Sequence, residues 1–308
     1  MIIIHCICHR LALACADTGD DYKFINSFEK NLIELWKFFK NSSKRLKIYV
    51  RIALKCKEFD TMSNKRQKSI VKRVKKACRT RWLSLHAGVD AVYDEYEGIV
   101  KTLQEIQFDR SSVSLAIGLL KKVKDHEFLG TLYLLKFMLP NLSALSKTFQ
   151  TGSLNFSRII PSINRCKTKI QEIEHNGKVW DELEKDLGGR LKSLNIALTD
   201  NQEIRIKSLV GKYANSICQN IDERFPSNSC EILTAFSIFD VDLFPAQTSP
   251  AFSVYGNEEI SSLGKQFFPN ASIDSLIEQW NDFKFEMIEM KKKISLLKNQ
   301  KFKKSSSN

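Results

Sequence analysis

The chain has 308 residues and a formal net charge of +13 at neutral pH. Glycine and proline are scarce and 43 % of the residues are hydrophobic, which is typical of a mostly α protein with enough apolar material for a core. No basic residue precedes the apolar N-terminal stretch, which disfavours a secretory signal. No segment approaches the roughly 18 consecutive apolar residues of a membrane span, which disfavours a membrane partner. The eight cysteines are irregularly spaced, which disfavours a disulfide framework.

The first predicted element is a short strand over residues 1–9, with a buried apolar run at Ile2, Ile3 and Ile4. A helix follows over 21–40, where apolar residues recur every three to four positions. Residues 41–43 provide polar caps for a second helix, and the short loop predicts an antiparallel hairpin. The apolar face predicted for the second helix consists of Leu46, Val50, Ala53 and Leu54.

The longest predicted helix runs from Trp82 to Ile106, where the same spacing continues without interruption. Further helices are predicted over 111–124, 126–139, 141–151, 154–174, 178–195, 199–223 and 273–297. Pro140 is expected to separate two of these helices, and Pro161 predicts a kink or a boundary. Residues 239–257 interrupt the helical pattern, and the lysine-rich tail after Lys298 is predicted to be disordered.

The positive charge is concentrated in a basic segment over residues 44–81, which contains fifteen Lys and Arg residues and only two acidic residues, Glu58 and Asp60. Such density creates a potential able to bind phosphates by counterion release. The residues predicted to bind nucleic acid are Lys65, Arg66, Lys68, Lys72, Arg73, Lys75, Lys76, Arg79 and Arg81. A solvated loop or a nuclear localisation signal is the alternative. Phosphate contacts alone imply no sequence preference.

Two other kinds of site are disfavoured. His5, Cys6, Cys8 and His9 are zinc-ligand types, but no second pair of ligands lies elsewhere, so no metal is predicted and the thiols are expected to pack. The usual nucleophile, phosphate-loop and metalloprotease motifs are missing, so no catalytic residue or cofactor is predicted. The acidic groups at 94–97, 240–242 and 258–259 are interpreted as solvated helix faces and a turn.

Two motifs in this order resemble those of the hAT superfamily of DNA transposases and of their domesticated zinc-finger relatives. The first is Cys6-x-x-His9 followed by Arg-Leu-Ala-Leu-Ala, and the second is Cys-Arg-Thr-Arg81-Trp82-Leu-Ser. By this resemblance Cys6 and His9 match one family motif, and Arg81 and Trp82 match the other. The family's Trp assists hairpin formation near the active site, whereas the helical spacing places Trp82 more readily in a core.

The resemblance implies a ribonuclease H-like fold split by a large helical insertion. Residues 1–16 would be the remnant of the core strand with its Cys-x-x-His, 17–238 the insertion domain, and 239–308 a linker, a helix and the tail. The family's two catalytic aspartates precede Cys-x-x-His, where this chain has no acidic residue, and its Ser-Glu-Arg-x-Phe motif is also absent. The carboxylates that would hold two metal ions are therefore missing, so the chain is predicted not to be an enzyme.

The leading functional prediction is a non-catalytic, transposase-derived nuclear protein that binds nucleic acid weakly and without sequence preference through the basic segment. Self-association or a protein partner is left open. One alternative is a chromatin-associated protein-interaction module without DNA contact, as in SUMO-ligase-like relatives. A second alternative is a fragment of an active hAT transposase whose other parts lie upstream.

Overall fold

A computed structural model describes residues 7–60, 71–75, 82–106, 113–150 and 156–305. All regular secondary structure within these ranges is helical, and they contain no strand. The mostly α class predicted from composition is therefore confirmed.

The first helix, α1 (Ile7–Asp21), corrects the N-terminal strand prediction for residues 7–9, while residues 1–6 lie outside the described ranges. Leu11, Ala14 and Cys15 recur at helical spacing and are all buried. They pack α1 against α10 (Asp200–Arg224). Apolar residues three and four positions apart share one helix face, and burial of that face explains why helix replaces strand.

The next two helices are α2 (Lys23–Lys40) and α3 (Ser43–Asp60), which pack against each other as predicted. The buried face of α3 differs from the predicted one. Tyr49, Ile52 and Ala53 are buried, whereas Leu54 is 36 % exposed. The helices packed against α3 thus bury a different face of it from the aliphatic face that the sequence predicted to be buried.

The long helix predicted from Trp82 to Ile106 is two helices, α4 (Trp82–Asp94) and α5 (Tyr96–Ile106). Helical hydrogen bonds continue on either side of the break, since the Glu95 amide donates to Ala91 O at 3.2 Å and the Ile99 amide donates to Glu95 O at 2.9 Å. The interruption coincides with Glu95, whose side chain is buried. Apolar periodicity is preserved across the break, which is why the sequence pattern did not reveal it.

After α6 (Val113–Val123), helix α7 (His126–Phe149) runs through Pro140 without a break, which corrects the two helices predicted there. Proline removes one backbone donor and normally weakens a helix interior. Here the turn is supported because the side-chain Nδ2 of Asn141 donates to Phe137 O at 3.2 Å and because α7 is buried around most of its circumference. Burial outweighs the local preference of proline.

Helix α7 is the central element, and α1, α2, α4, α6, α10 and α9 (Lys178–Gly188) all contact it. By length and composition it could cross a membrane, but 72 % of its most apolar 18-residue stretch is buried within the fold. A core helix passes the same test, so this is weak evidence for a membrane span. Helix α8 (Ile159–His175) has Pro161 in its first turn, which is the boundary predicted for that residue.

The chain divides into two units, described separately here: residues 1–150 with 164–224, and residues 151–163 with 225–308. The two units divide at Phe225, and α1 packs into the first of them. The domain boundaries near 16 and 238, which the resemblance implies, stay predictions. In the second unit, α11 (Ser227–Ala235), α12 (Pro250–Val254), α13 (Asn257–Phe267) and α14 (Ile273–Ser305) surround Trp280 and Leu263.

The second unit corrects two further expectations. Residues 239–257 include α12 and two short 3-10 turns, and α14 continues to Ser305, which overturns the prediction of disorder from Lys298 to that residue. A tight contact holds the start of α13 against α14, because a Cβ at Gly256, whose φ is +82°, would lie 2.6 Å from Trp280 Nε1. The left-handed φ and the close contact both require glycine at this position.

Two glycines in neighbouring helices allow a matched test of packing. A Cβ on Gly130 of α7 would lie 2.8 Å from Ile206 Cγ1 of α10, whereas a Cβ on Gly118 of α6 would have no neighbour within 4 Å. We expect Gly130→Ala to lower the free energy of unfolding by about 1–3 kcal/mol through overpacking, and Gly118→Ala to raise it by about 0.5–1 kcal/mol through helix propensity. Urea denaturation of both variants measures this, and equal effects would contradict the close α7–α10 packing.

Candidate nucleic-acid interface

Helix α3 presents a cationic stripe on its outer face. Lys47, Arg51 and Lys55 are four residues apart, which places them on one side of the helix, and all three are exposed. The opposite side is fixed by a close contact, because a Cβ on Gly98 of α5 would lie 3.0 Å from Ala53 Cβ. Close packing of α3 against α5 therefore determines which lysines face solvent.

A non-helical strip, residues 71–75, is tied to α3 and to the α4–α5 junction. The Tyr49 hydroxyl donates to Lys72 O at 2.6 Å, and the Lys72 amide donates to Glu95 Oε1 at 2.8 Å. The same Glu95 oxygen accepts a hydrogen bond from Lys57 Nζ. Buried polar groups require such partners, so the backbone of the strip is itself anchored to α3 and to the α4–α5 junction.

Glu95 corrects the interpretation of residues 94–97 as a solvated acidic face. Its side chain is 1 % exposed in its ion pair with Lys57, while Asp94 beside it pairs with Lys72 Nζ. The hydrogen bond to Asp94 raises the pKa of Lys72, even though partial burial opposes this. Lys72 therefore already has a carboxylate partner within the fold, as Lys57 and Arg51 do with Glu95 and Glu105.

A shallow groove lies between the stripe and the strip. Its floor is Leu46, Val50 and Leu54, the face that the sequence predicted to be packed, and its rim is Lys47, Arg51, Lys55 and Arg73. Arg51 is paired with Glu105, and both side chains are about half exposed, at 53 % and 49 %. Within the described ranges, Lys47, Lys55, Arg73 and Lys75 have no carboxylate partner. The groove thus combines aliphatic contact area with unneutralised positive charge.

The structure brings together only part of the predicted site. Arg73 and Lys75 lie in the strip beside the groove, whereas the remaining predicted cations other than Lys72 lie outside the described ranges: Lys65, Arg66, Lys68, Lys76, Arg79 and Arg81. Of the family-motif residues, Cys6 is outside them, His9 is exposed in the first turn of α1, and Trp82 begins α4 with its side chain outside the description. Lys47 and Lys55 were not singled out from sequence, although their four-residue spacing with Arg51 was the available signal.

His86, Ser143 and Asp90 are arranged in the order of a hydrolase triad. His86 Nδ1 lies 3.0 Å from Ser143 Oγ, and His86 Nε2 lies 3.2 Å from Asp90 Oδ2. Ser143 is only 3 % exposed, and Asp90 also binds Lys136 at 2.8 Å. A nucleophile must reach a substrate carbonyl. The arrangement is therefore a polar link between α4 and α7, consistent with the burial that lowers the pKa of His86.

A second polar cluster is centred on Asp186 of α9. Its Oδ2 accepts hydrogen bonds from the hydroxyl of Tyr133 at 2.6 Å, the hydroxyl of Tyr93 at 3.1 Å and Nε of Arg190 at 2.8 Å. Arg190 also stacks on the Tyr93 ring at 4.3 Å. Burial raises the pKa of Tyr93 to about 12, so its hydroxyl stays protonated and donates at neutral pH. Every member is satisfied by the others, which indicates a structural network joining α4, α7 and α9.

The described ranges hold no group of three or more His, Cys, Asp or Glu side chains able to bind a metal ion. No protein-family model matches the chain, and no solved structure matches it. The groove on α3 is therefore the strongest candidate site on geometric grounds alone, because it is open, cationic and built from residues that the fold positions.

Glu95 provides a test of how the strip is held. We expect Glu95→Gln to lower the free energy of unfolding by about 2–4 kcal/mol, because a buried ion pair with a further backbone hydrogen bond loses its charge. Hydrogen exchange at the Lys72 amide should also accelerate. Glu105→Gln is the matched control on a half-exposed pair and should change stability by less than about 1 kcal/mol. Indistinguishable denaturation curves for the two variants would contradict this role of Glu95.

Proposed function

We propose that this chain is a non-catalytic nuclear protein, derived from a hAT-type transposase, that binds nucleic acid weakly and without sequence preference through its basic segment. The observation that carries the binding proposal is the rim of the α3 groove, where Lys47, Lys55 and Arg73 lack carboxylate partners among the described residues. Unpaired cations on one face can neutralise successive phosphates and release their counterions.

The derivation from a transposase is supported by the two sequence motifs and not by the fold. Their residues fall at 6–14 and 78–84, of which 6 and 78–81 lie outside the described ranges. Under this proposal the helical units correspond to the insertion domain of the family and to the region that follows it, while the ribonuclease H-like core is represented by the N-terminal motif. Nuclear localisation follows from the same basic segment acting as an import signal.

The groove suggests how phosphates are bound. Aliphatic side chains on the floor present no hydrogen-bond donors or acceptors to base edges, so contact there does not read the hydrogen-bond pattern of the bases. Lysine and arginine on the rim position a backbone but carry no sequence information. Lys72, paired with Asp94, positions the strip. Affinity should therefore depend strongly on salt and little on sequence.

The test replaces three cations on the groove rim and Lys75 of the adjoining strip, and compares a control with the same change of charge. The groove variant carries Lys47→Gln, Lys55→Gln, Arg73→Gln and Lys75→Gln. The control variant carries Lys121→Gln, Arg165→Gln, Lys169→Gln and Lys212→Gln, all at exposed positions. Each lost phosphate contact should reduce the slope of log affinity against log salt by about 0.9 on duplex DNA.

We expect the groove variant to lose roughly two to four units of slope on two unrelated duplexes, and the control to lose less than about one, measured by fluorescence anisotropy across a salt series. Equal losses would mean that only net charge matters. An unchanged slope in the groove variant would reduce the basic segment to a localisation signal and favour the protein-interaction alternative.

A separate prediction concerns catalysis. We expect the purified chain neither to cleave nor to join a plasmid substrate with Mg²⁺ or Mn²⁺, because the carboxylates that the family uses to bridge two metal ions have no counterpart at the matching sequence positions. Agarose-gel detection of strand transfer is the measurement. Activity that disappears in Glu258→Gln would overturn this prediction and favour the active-transposase alternative.

A further inference from the structure

A cavity of about 770 Å³ lies within the first unit, beside the α3 groove. Its walls come from α3, which contributes Ile52, from α5, which contributes Lys101, and from the turn after α9, residues 189–193. Lys192 and Ser193 on this turn are exposed, so the cavity is open to solvent. Its volume falls within the range of about 300–1,000 Å³ that is usual for ligand sites.

The cavity is continuous with the groove. Lys55 lines both of them, and Arg51 on the rim of the groove pairs with Glu105, which lines the cavity. Lys47, at the other end of the groove, lies two turns before Lys55, or about 12 Å along α3. A chain-like ligand bound in the groove therefore reaches the cavity at Lys55.

Both carboxylates that line the cavity are neutralised by cations of the same fold. Glu97 Oε1 accepts hydrogen bonds from Lys101 Nζ and from Ser193 Oγ, each at 2.6 Å, and Glu105 pairs with Arg51. A carboxylate with a cation beside it repels an approaching anion much less than a lone carboxylate does. These two acids therefore do not close the cavity to an anionic ligand.

Two of the lining cations remain available to a ligand. Arg190 is engaged with Asp186 at 2.8 Å, whereas Lys55 and Lys192 have no carboxylate partner in the part of the chain that the structure describes. Lys55 lies on the α3 wall and Lys192 on the turn after α9, so the two ammonium groups belong to different walls. The charge that the cavity leaves unneutralised is therefore positive.

The size of the cavity decides which phosphate-bearing ligand suits it. A phosphate group alone would leave most of about 770 Å³ unfilled. A base within a duplex is paired and stacked, so it enters a pocket only after leaving the stack. An unpaired nucleotide has neither difficulty, because its base fills the space against Ile52 and the methylene stems of the lysines while its phosphates lie at Lys55 and Lys192.

We propose that the cavity binds an unpaired nucleotide of a single-stranded nucleic acid whose backbone runs from the α3 groove across Lys55. The proposal rests on the proposed function and specifies its ligand, since a duplex occupies the groove alone. The wall at Ile52 is aliphatic and every base has an apolar face, so binding in the cavity does not require one particular base. A free nucleotide shares this chemistry, but only a strand spans the groove and the cavity together.

Three ligands of about 12 nucleotides test the ligand class. They are a mixed-sequence single strand, the same backbone without its bases, and the strand annealed to its complement. Charge alone favours the duplex, because each neutralised phosphate contributes about −0.9 to the salt slope on duplex DNA and about −0.7 on a single strand.

We expect the single strand to bind the full chain at least about fivefold more tightly than either other ligand, by fluorescence anisotropy at physiological salt. Duplex binding equal to or tighter than single-strand binding would overturn this inference and leave the proposed function standing. Binding of none of the three ligands would overturn the proposed function itself.

A single substitution separates the cavity from the groove. Lys192→Gln should weaken binding of the single strand by about threefold or more and leave duplex binding unchanged, because Lys192 lines only the cavity. Lys212→Gln, at an exposed position on α10, is the matched control and should change neither. Single-strand affinity that is the same in Lys192→Gln as in the parent would contradict a phosphate site at this lysine.

Thiol labelling locates the bound strand. Ser193→Cys places a thiol at the edge of the cavity, and Ser208→Cys places one at an exposed position on α10. We expect the single strand to slow alkylation by iodoacetamide at position 193 by about fivefold or more and not at 208, measured by peptide mass spectrometry. Equal protection by thymidine monophosphate at the same concentration would identify a free nucleotide as the occupant and overturn the strand assignment, and no protection by either would overturn the site.

Discussion

Burial of α7 on nearly all sides is the constraint on which the first unit depends. Its apolar residues are not confined to one stripe, and buried residues run from Phe128 to Phe149 around the helix. A helix that is hydrophobic all round must be surrounded, since neither face can be left to water. The neighbours α2, α4, α9 and α10 supply that cover, and in the same core Asp186 of α9 accepts hydrogen bonds from Tyr93, Tyr133 and Arg190.

The same constraint explains how the candidate interface is placed. Once α4 packs on α7, α5 continues from it and presents Gly98 to Ala53 of α3. That contact turns Lys47 and Lys55 outward and leaves aliphatic residues between them. Glu95, at the α4–α5 junction, then binds the backbone of the 71–75 strip and Lys57. The basic segment thus includes cations used to hold the fold and cations left for a ligand.

The α3 groove uses positive charge in a way that suits a phosphate backbone. Lys47, Lys55 and Arg73 lie on its rim without a carboxylate partner among the described residues, and a phosphate backbone needs charge without detailed shape.

Helical periodicity, composition and the position of the basic segment were readable from the sequence, because side-chain spacing and charge are local properties: α2, α6 and α10 lie within a few residues of their predicted bounds. Only the tertiary structure decided which face of each helix is buried, that Pro140 does not end α7, and that Glu95 is an internal anchor and not a solvated acid. All three features depend on residues that are distant in sequence. Burial against those residues and hydrogen bonds to them outweigh the apolar pattern of α3, the tendency of proline to end a helix and the tendency of a carboxylate to face water.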